Sequence, residues 1–181
     1  VQYLSGVLTK LKNSLDEKTI FVCCSKGLEM NSLKLPSQIV SSIFPKNKIA
    51  IISGPNFAAE IAKGLPAATA VASKHEEIAK KIANLIKSST LRPYLSNDII
   101  GSQIAGALKN IYAIASGIVV GKKYGENAVA SIISRSFAEI TTVAKSMNAK
   151  KSTLAGLSGM GDLFLTCSSK ESRNFSLGID L

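Results

Sequence analysis

The period of the apolar positions changes once along this chain. In the first hundred residues, short continuous apolar runs alternate with segments of helical spacing. Leu4, Leu8, Leu11 and Leu15 mark an amphipathic helix, followed by Thr19–Cys24, a β-rich run that reads as a strand covered on both faces. It ends in the turn Ser25-Lys26-Gly27. A short helix is predicted over Pro36–Phe44, then a second strand over Lys48–Ile52 with its own turn, Ser53-Gly54-Pro55-Asn56. Phe57–Lys63 reads as helical and stops at Gly64-Leu65-Pro66. Ala67–Ala72 is a third strand, and Leu91–Leu95 a fourth. Between them Ser73–Glu76 has the form of a capping box, and Ile78, Ile82 and Leu85 supply the core face of the helix behind it.

Beyond residue 101 only helical periodicity remains. Ser102–Gly121 carries Ile104, Leu108, Ile111, Ala115 and Ile118 on one stripe, and Asn127–Met147 carries Val129, Ile132, Ile133, Ile140, Val143 and Met147. The expectation is an α/β fold followed by an all-α part. Residues 1–101 are expected to form a mostly parallel, helix-flanked sheet, and the chain beyond them an all-helical part.

The Ser102–Gly121 helix also carries Lys109 in its middle. On that residue's own face lie Ala105, Gly106, Ala113 and Ser116, all small, so backbone or a ligand can approach closely. Two readings stay open: a core helix whose lysine snorkels to the surface, or a desolvated lysine whose charged form is disfavoured and which exchanges protons near neutral pH. A lysine at mid-bilayer is costly, so a membrane span is rejected despite the length of the run.

Charge and composition narrow the chemistry. The 181 residues carry a net charge of +10, almost all from lysine, since Arg92, Arg135 and Arg173 are the only arginines. The lysines form no basic block interleaved with aromatics, so a small anionic ligand is expected rather than nucleic acid. His75 is the only histidine, which excludes His-based triads, and it is expected to be solvated. Cys23, Cys24 and Cys167 have neither disulfide nor zinc spacing. No segment resembles a secretory signal, so a cytoplasmic location is expected; Val1 in place of a starting Met leaves room for an upstream segment.

Several loops are candidates for ligand contact. Lys26-Gly27 and Gly54-Pro55-Asn56 lie at the carboxyl ends of two predicted strands, where open α/β sheets bind ligands. Gly156–Gly161 has the order GxxGxG after a helical segment and is not a dinucleotide turn; Gly117–Lys122 falls one residue short of a P-loop. Asp162 closes the first of these and is suited to cap the helix after it. Ser172-Arg173-Asn174 offers an arginine fork between hydroxyl and amide, a phosphate-binding composition.

In order, SKGLE (Ser25–Glu29), SGPNFAAE (Ser53–Glu60), GLPAA (Gly64–Ala68), ALKNIYAI (Ala107–Ile114), GENA (Gly125–Ala128), GLSGMGDLFLTC (Gly156–Cys167) and SRN (Ser172–Asn174) resemble bacterial NAD(P)-dependent glycerol-3-phosphate dehydrogenases. The resemblance implies a partial Rossmann-type dinucleotide-binding domain over 1–101 and a shortened helical substrate and catalytic domain over 102–181, NAD or NADP as cofactor, and interconversion of sn-glycerol 3-phosphate and dihydroxyacetone phosphate for phospholipid synthesis. It implies that Lys109 is the catalytic proton acceptor. Lys26, Gly54, Asn56, Lys109, Asp162, Ser172, Arg173 and Asn174 would contact substrate, and Ala58 and Arg173 the dinucleotide. The family typically has Ser or Thr where this chain has Asn56, so a different donor is expected there. The family's GxGxxG turn and first βαβ unit, and its helices after the SRN cluster, are not in this chain. The alternative reading is therefore a shortened, non-catalytic remnant that binds a phosphorylated metabolite. Oligomeric state is left open, a homodimer included.

Overall fold

The computed structural model describes residues 1–181. Four strands, β1 (Ile20–Cys23), β2 (Lys48–Ser53), β3 (Ala67–Ala72) and β4 (Leu91–Ser96), form one sheet in the order β1-β2-β3-β4. β1 pairs parallel with β2, and β3 parallel with β4. The central pairing, β2 with β3, is antiparallel, with Ser53 opposite Ala70. The mostly parallel sheet expected from the βα alternation therefore holds for each outer pair and reverses in the middle. The β2–β3 link holds only a five-residue helix, α3 (Ala58–Ala62), shorter than the helices that join the two parallel pairs. Pro93 is tolerated because β4 is an edge strand.

Both faces of the sheet are covered, by different helices. Ile49, Ile51 and Ala72 pack with Leu8 of α1 (Leu4–Leu11) and with Ile39 and Val40 of α2 (Pro36–Ile43). On the other face Ala50 and Val71 pack with Ile78, Ala79, Ile82 and Ala83 of α4 (Glu76–Ile86). The alternation of Ile and Ala along β2 is the strand period of two sorting side chains onto the two layers.

Several local expectations are corrected. Ser73 caps nothing: its hydroxyl donates to Ile49 O at 2.7 Å and accepts from His75 N, and α4 begins at Glu76 without a side-chain cap. Leu85 is 72% exposed, because Ala79 and Ala83 take the sheet-facing positions. Val22 is 40% exposed, so β1, an edge strand, is not covered on both faces. His75 is half-buried, with Nε2 3.1 Å from Lys48 Nζ, rather than freely solvated.

The remainder is helical: α5 (Ile99–Gly121), α6 (Glu126–Ser146), α7 (Lys151–Leu154), a π turn (Leu157–Gly161), α8 (Asp162–Ser168) and α9 (Arg173–Asp180). α5 starts at Ile99, three residues earlier than expected, because Asp98 is its N-cap and accepts Gly101 N at 2.8 Å. The other carboxylate oxygen accepts Lys150 N at 2.8 Å, tying the approach to α7 to the start of α5. α5 is long and apolar enough to cross a membrane by length and composition. Here it is the central helix against which α6, α8 and α9 pack.

The buried face of α5 takes in only part of its large apolar stripe, with Ile104 1% exposed. Ile111 is 62% exposed, whereas Ala105, Lys109, Ala113 and Ser116 are buried. Small side chains let α9 come within backbone contact: a Cβ on Gly117 would collide with Phe175 O, and one on Gly178 with Ile114 O. Close backbone approach has outweighed apolar area in choosing this face. On α6 the core line is Ile133, Ser136, Ile140 and Ala144, and Val143, expected inside, is 41% exposed.

Candidate active site

Three charged side chains meet where the sheet joins the helical half. Lys109 comes from the middle of α5, Asp162 from the first residue of α8, and Lys26 from the turn after β1. Lys109 Nζ donates to Asp162 Oδ1 at 2.6 Å, and Lys26 Nζ to Asp162 Oδ2 at 2.6 Å. One carboxylate, 2% exposed, thus compensates two ammonium groups. Lys109 also donates to Thr166 Oγ1 at 2.8 Å, and that hydroxyl donates to Asp162 O at 2.6 Å. Thr166 stands one helical turn after Asp162, so α8 supplies both acceptors from one face. Sequence reading missed Thr166; its i+4 spacing from Asp162 on a helix start was the available signal.

Lys109 is 9% exposed and does not snorkel to the surface. Burial pushes its ammonium below the ordinary lysine value; Lys26 adds to that push, while Asp162 opposes it by favouring the charged form. Asp162 does not cap α8. The helix starts from Gly161 without a side-chain cap, and the carboxylate is spent on the two lysines.

Lys26 reaches the cluster over Gly106, whose missing Cβ would lie 3.2 Å from Lys26 Cδ. Its Nζ also donates to Gly54 O at 3.2 Å. Gly54 has φ +138°, a backbone state that side-chain-bearing residues rarely adopt, and this turns its carbonyl to the lysine. Next to it, Asn56 Nδ2 donates to Thr69 Oγ1 at 3.1 Å, and the Thr69 hydroxyl donates to Ser53 O at 3.1 Å. Asn56 Oδ1 is buried with no partner. Thr69 takes one of the two Asn56 amide N–H groups, and Oδ1 remains a buried acceptor beside the cluster.

Lys26, Gly54, Lys109 and Asp162 thus form one bonded group, with Asn56 adjoining it. The Ser172–Asn174 cluster does not join them: no hydrogen bond or ion pair links it to Lys26, Lys109 or Asp162. Ser172 is the N-cap of α9, its Oγ accepting Phe175 N at 3.3 Å, and Arg173 is exposed without an acidic partner. Ala58, the first residue of α3, is exposed beyond the carboxyl end of β2. Cys23, Cys24 and Cys167 are all free thiols, and no cluster of metal-ligating side chains exists.

A helix-flanked sheet whose strand-end turns meet a helical domain at a buried lysine–carboxylate cluster defines a protein of Rossmann-type α/β architecture joined to an all-helical domain. Comparison with known proteins gives the family. Residues 1–79 match the family model described as NAD-dependent glycerol-3-phosphate dehydrogenase N-terminus, and residues 98–181 the corresponding C-terminus. The chain belongs to the NAD-dependent glycerol-3-phosphate dehydrogenase family. It is similar to the glycerol-3-phosphate dehydrogenase [NAD(P)+] of Parvibaculum lavamentivorans, 45% identical over 99% of this chain and 54% of the relative. The Caulobacter vibrioides protein of the same description is 47% identical over the same shares. Among solved structures, the Coxiella burnetii glycerol-3-phosphate dehydrogenase superposes with a TM-score of 0.93 at 36% identity, covering 99% of this chain and 56% of that one. The chain spans about half the length of the curated relatives it matches.

Proposed function

We propose that this chain carries the proton-transfer and substrate-holding part of an NAD(P)-dependent, cytoplasmic glycerol-3-phosphate dehydrogenase. The observation that carries this reading is the buried lysine between two acceptors, with a lowered proton affinity. Interconverting a secondary alcohol and a ketone needs a group that takes the hydroxyl proton in one direction and returns it in the other. In the reducing direction the Lys109 ammonium hydrogen-bonds the carbonyl oxygen of dihydroxyacetone phosphate and gives up one proton. In the oxidising direction neutral Lys109 takes the hydroxyl proton of glycerol 3-phosphate. Asp162 and Thr166 hold Nζ in one place for both, and Lys26 fixes the far oxygen of Asp162 so that the carboxylate cannot turn.

Arg173 and Asn174, opening α9, supply the donors for the phosphate, with the Ser172 hydroxyl proton beside them. The residues present also fit a dinucleotide. Asn56 Oδ1 is an orphaned buried acceptor beside the cluster, Ala58 presents exposed backbone at the strand-end turn, and Arg173 is unpaired. When bound, the nicotinamide supplies the hydride chemistry that none of these side chains can perform.

The test is Lys109→Ala in the complete gene product, assayed for NADH- or NADPH-dependent reduction of dihydroxyacetone phosphate. Loss of general acid–base catalysis is expected to lower kcat by roughly 10²–10⁴-fold. Near-normal turnover would overturn the role of Lys109 and favour a non-catalytic phosphate-binding remnant.

A further inference from the structure

Two stretches of chain supply the halves of the buried pair: α5 carries Lys109, and the run from Lys150 through α7 and the π turn into α8 carries Asp162. They meet first at Asp98, about 16 Å back along α5 from Lys109. Asp98 is 6% exposed, and no ammonium or guanidinium group lies within ion-pair reach of its carboxylate. Burying an unpaired carboxylate is costly unless hydrogen-bond donors replace the lost water. Here both donors are main-chain N–H groups: Gly101 N gives to Oδ1 and Lys150 N to Oδ2, each at 2.8 Å. Capping α5 needs only the first, and a serine or asparagine oxygen would serve it. The second oxygen, bonded to a distant segment, is what a carboxylate adds to an ordinary cap.

The junction leaves no slack. A Cβ on Gly101 would collide with Asp98 Oδ2 and lie 3.1 Å from Thr153 Cγ2 of α7. Asn97, the neighbour of Asp98, holds the other end of Lys150, whose Nζ donates to Asn97 Oδ1 at 2.7 Å. Farther on, a Cβ on Gly159 would collide with Leu154 O, so the π turn lies directly on α7. Leu154 and Leu163, each 1% exposed, pack with Ile104 and Ala105 of α5 in one core. From Lys150 to Asp162 the chain is thus one packed piece, and where it starts against α5 fixes where Asp162 arrives.

We infer that Asp98 is a positioning residue for the Lys109–Asp162 pair, setting the placement of the α7–α8 segment along α5 through its bond to Lys150 N. Its effect on turnover rests on the reading of Lys109 as the proton-transfer group; the geometric part does not. Without the bond the segment is free to slide, and the 2.6 Å contact between Lys109 and Asp162 lengthens. The titratable groups around Lys109 are Asp162 and Cys167 of α8 and Lys26 of the turn after β1. Burial pushes the Cys167 thiol up to about 12, so it is neutral, and the Asp162 carboxylate is the group that favours the ammonium. Its retreat leaves burial and Lys26 less opposed, and Lys109 then loses its proton at lower pH.

Asp98→Asn in the complete gene product is the test. Asparagine keeps an oxygen for Gly101 N and sets an amide NH2 group against Lys150 N, so the cap stays and the second bond is lost. Amide hydrogen exchange at Lys150 is expected to quicken while Gly101 stays protected. The Lys109 side chain, followed by NMR, is expected to titrate about half a pH unit or more below its wild-type value. In NADH- or NADPH-dependent reduction of dihydroxyacetone phosphate, kcat is expected to fall about tenfold, with its alkaline limb moved to lower pH by the same shift. Lys150→Ala, which removes the bond to Asn97 and keeps the N–H, is expected to leave the titration and the kcat profile as in the wild type. Asp98→Ser, which also keeps a cap, gives the same readouts if the asparagine variant does not fold. A Lys109 titration at the wild-type value, with only the melting temperature lowered, overturns the inference and leaves Asp98 a cap alone. A lowered titration with an unchanged kcat profile upholds the positioning and overturns instead the proton-transfer reading of Lys109.

Discussion

Asp162→Asn is the sharpest perturbation of this molecule, because one buried carboxylate answers two ammonium groups. Each ion pair is closed at 2.6 Å. At an effective dielectric near 20 the gross attraction in one such pair is about 6 kcal/mol, most of it offset by desolvation of the charges. Asparagine keeps the shape and one acceptor but removes the charge. Lys26, its side chain 26% exposed, can relax toward water; Lys109, at 11%, cannot. What remains is one uncompensated buried ammonium, and breaking a buried pair in this way costs about 3–5 kcal/mol. For a chain of this size that corresponds to a fall of roughly 6–20 °C in Tm. Urea unfolding at pH 7, followed by circular dichroism and tyrosine fluorescence, measures it directly. The double variant Lys109→Met/Asp162→Asn removes the stranded charge and is expected within about 1–2 kcal/mol of the wild type. The electrostatic account is refuted if the single variant loses less than about 1 kcal/mol, or if the double variant is no more stable than the single one.

Two further predictions concern α5 and the helix packed closely on it, α9. Gly178→Ala in α9 sets about 1 kcal/mol of gained helix propensity against a new Cβ driven into Ile114 O and the backbone of Gly117. Neither obstacle is a flexible side-chain end, so overpacking wins. A net loss of about 1–3 kcal/mol is expected, and a raised melting temperature would contradict the close approach. The Lys109 side chain, observed by NMR, is expected to titrate below the ordinary lysine value. In the window between that depressed value and the unfolded one, the unfolded chain holds more protons, so stability rises with pH. Below the window the cost of the buried charge is present in full. The slope is expected to vanish in Lys109→Met, and titration at or above the ordinary value would show that Asp162, not burial, dominates.

The apolar pattern by itself determined the four strands and the helices up to α6, because strand and helix periods are local properties of the chain, while α7, the π turn, α8 and α9 are too short to show one. β1 to β4 fall where the apolar runs lie, and α5 and α6 where the helical spacing does. The ordered motifs likewise pointed to Lys26, Lys109 and Asp162, which the fold brings into one bonded group. Other features depend on distances between segments far apart in sequence. The antiparallel pairing of β2 with β3 is a relation between two strands that neither strand's own period encodes. The burial of the small-residue face of α5, with Ile111 left outside, depends on α9, more than fifty residues away. Thr166 became a partner of Lys109, and Thr69 of Asn56, only when the fold brought those side chains together. A sequence records what each side chain can do; packing decided which partner used it, and at Asp162 that choice turned a suitable helix cap into the counter-ion of two lysines.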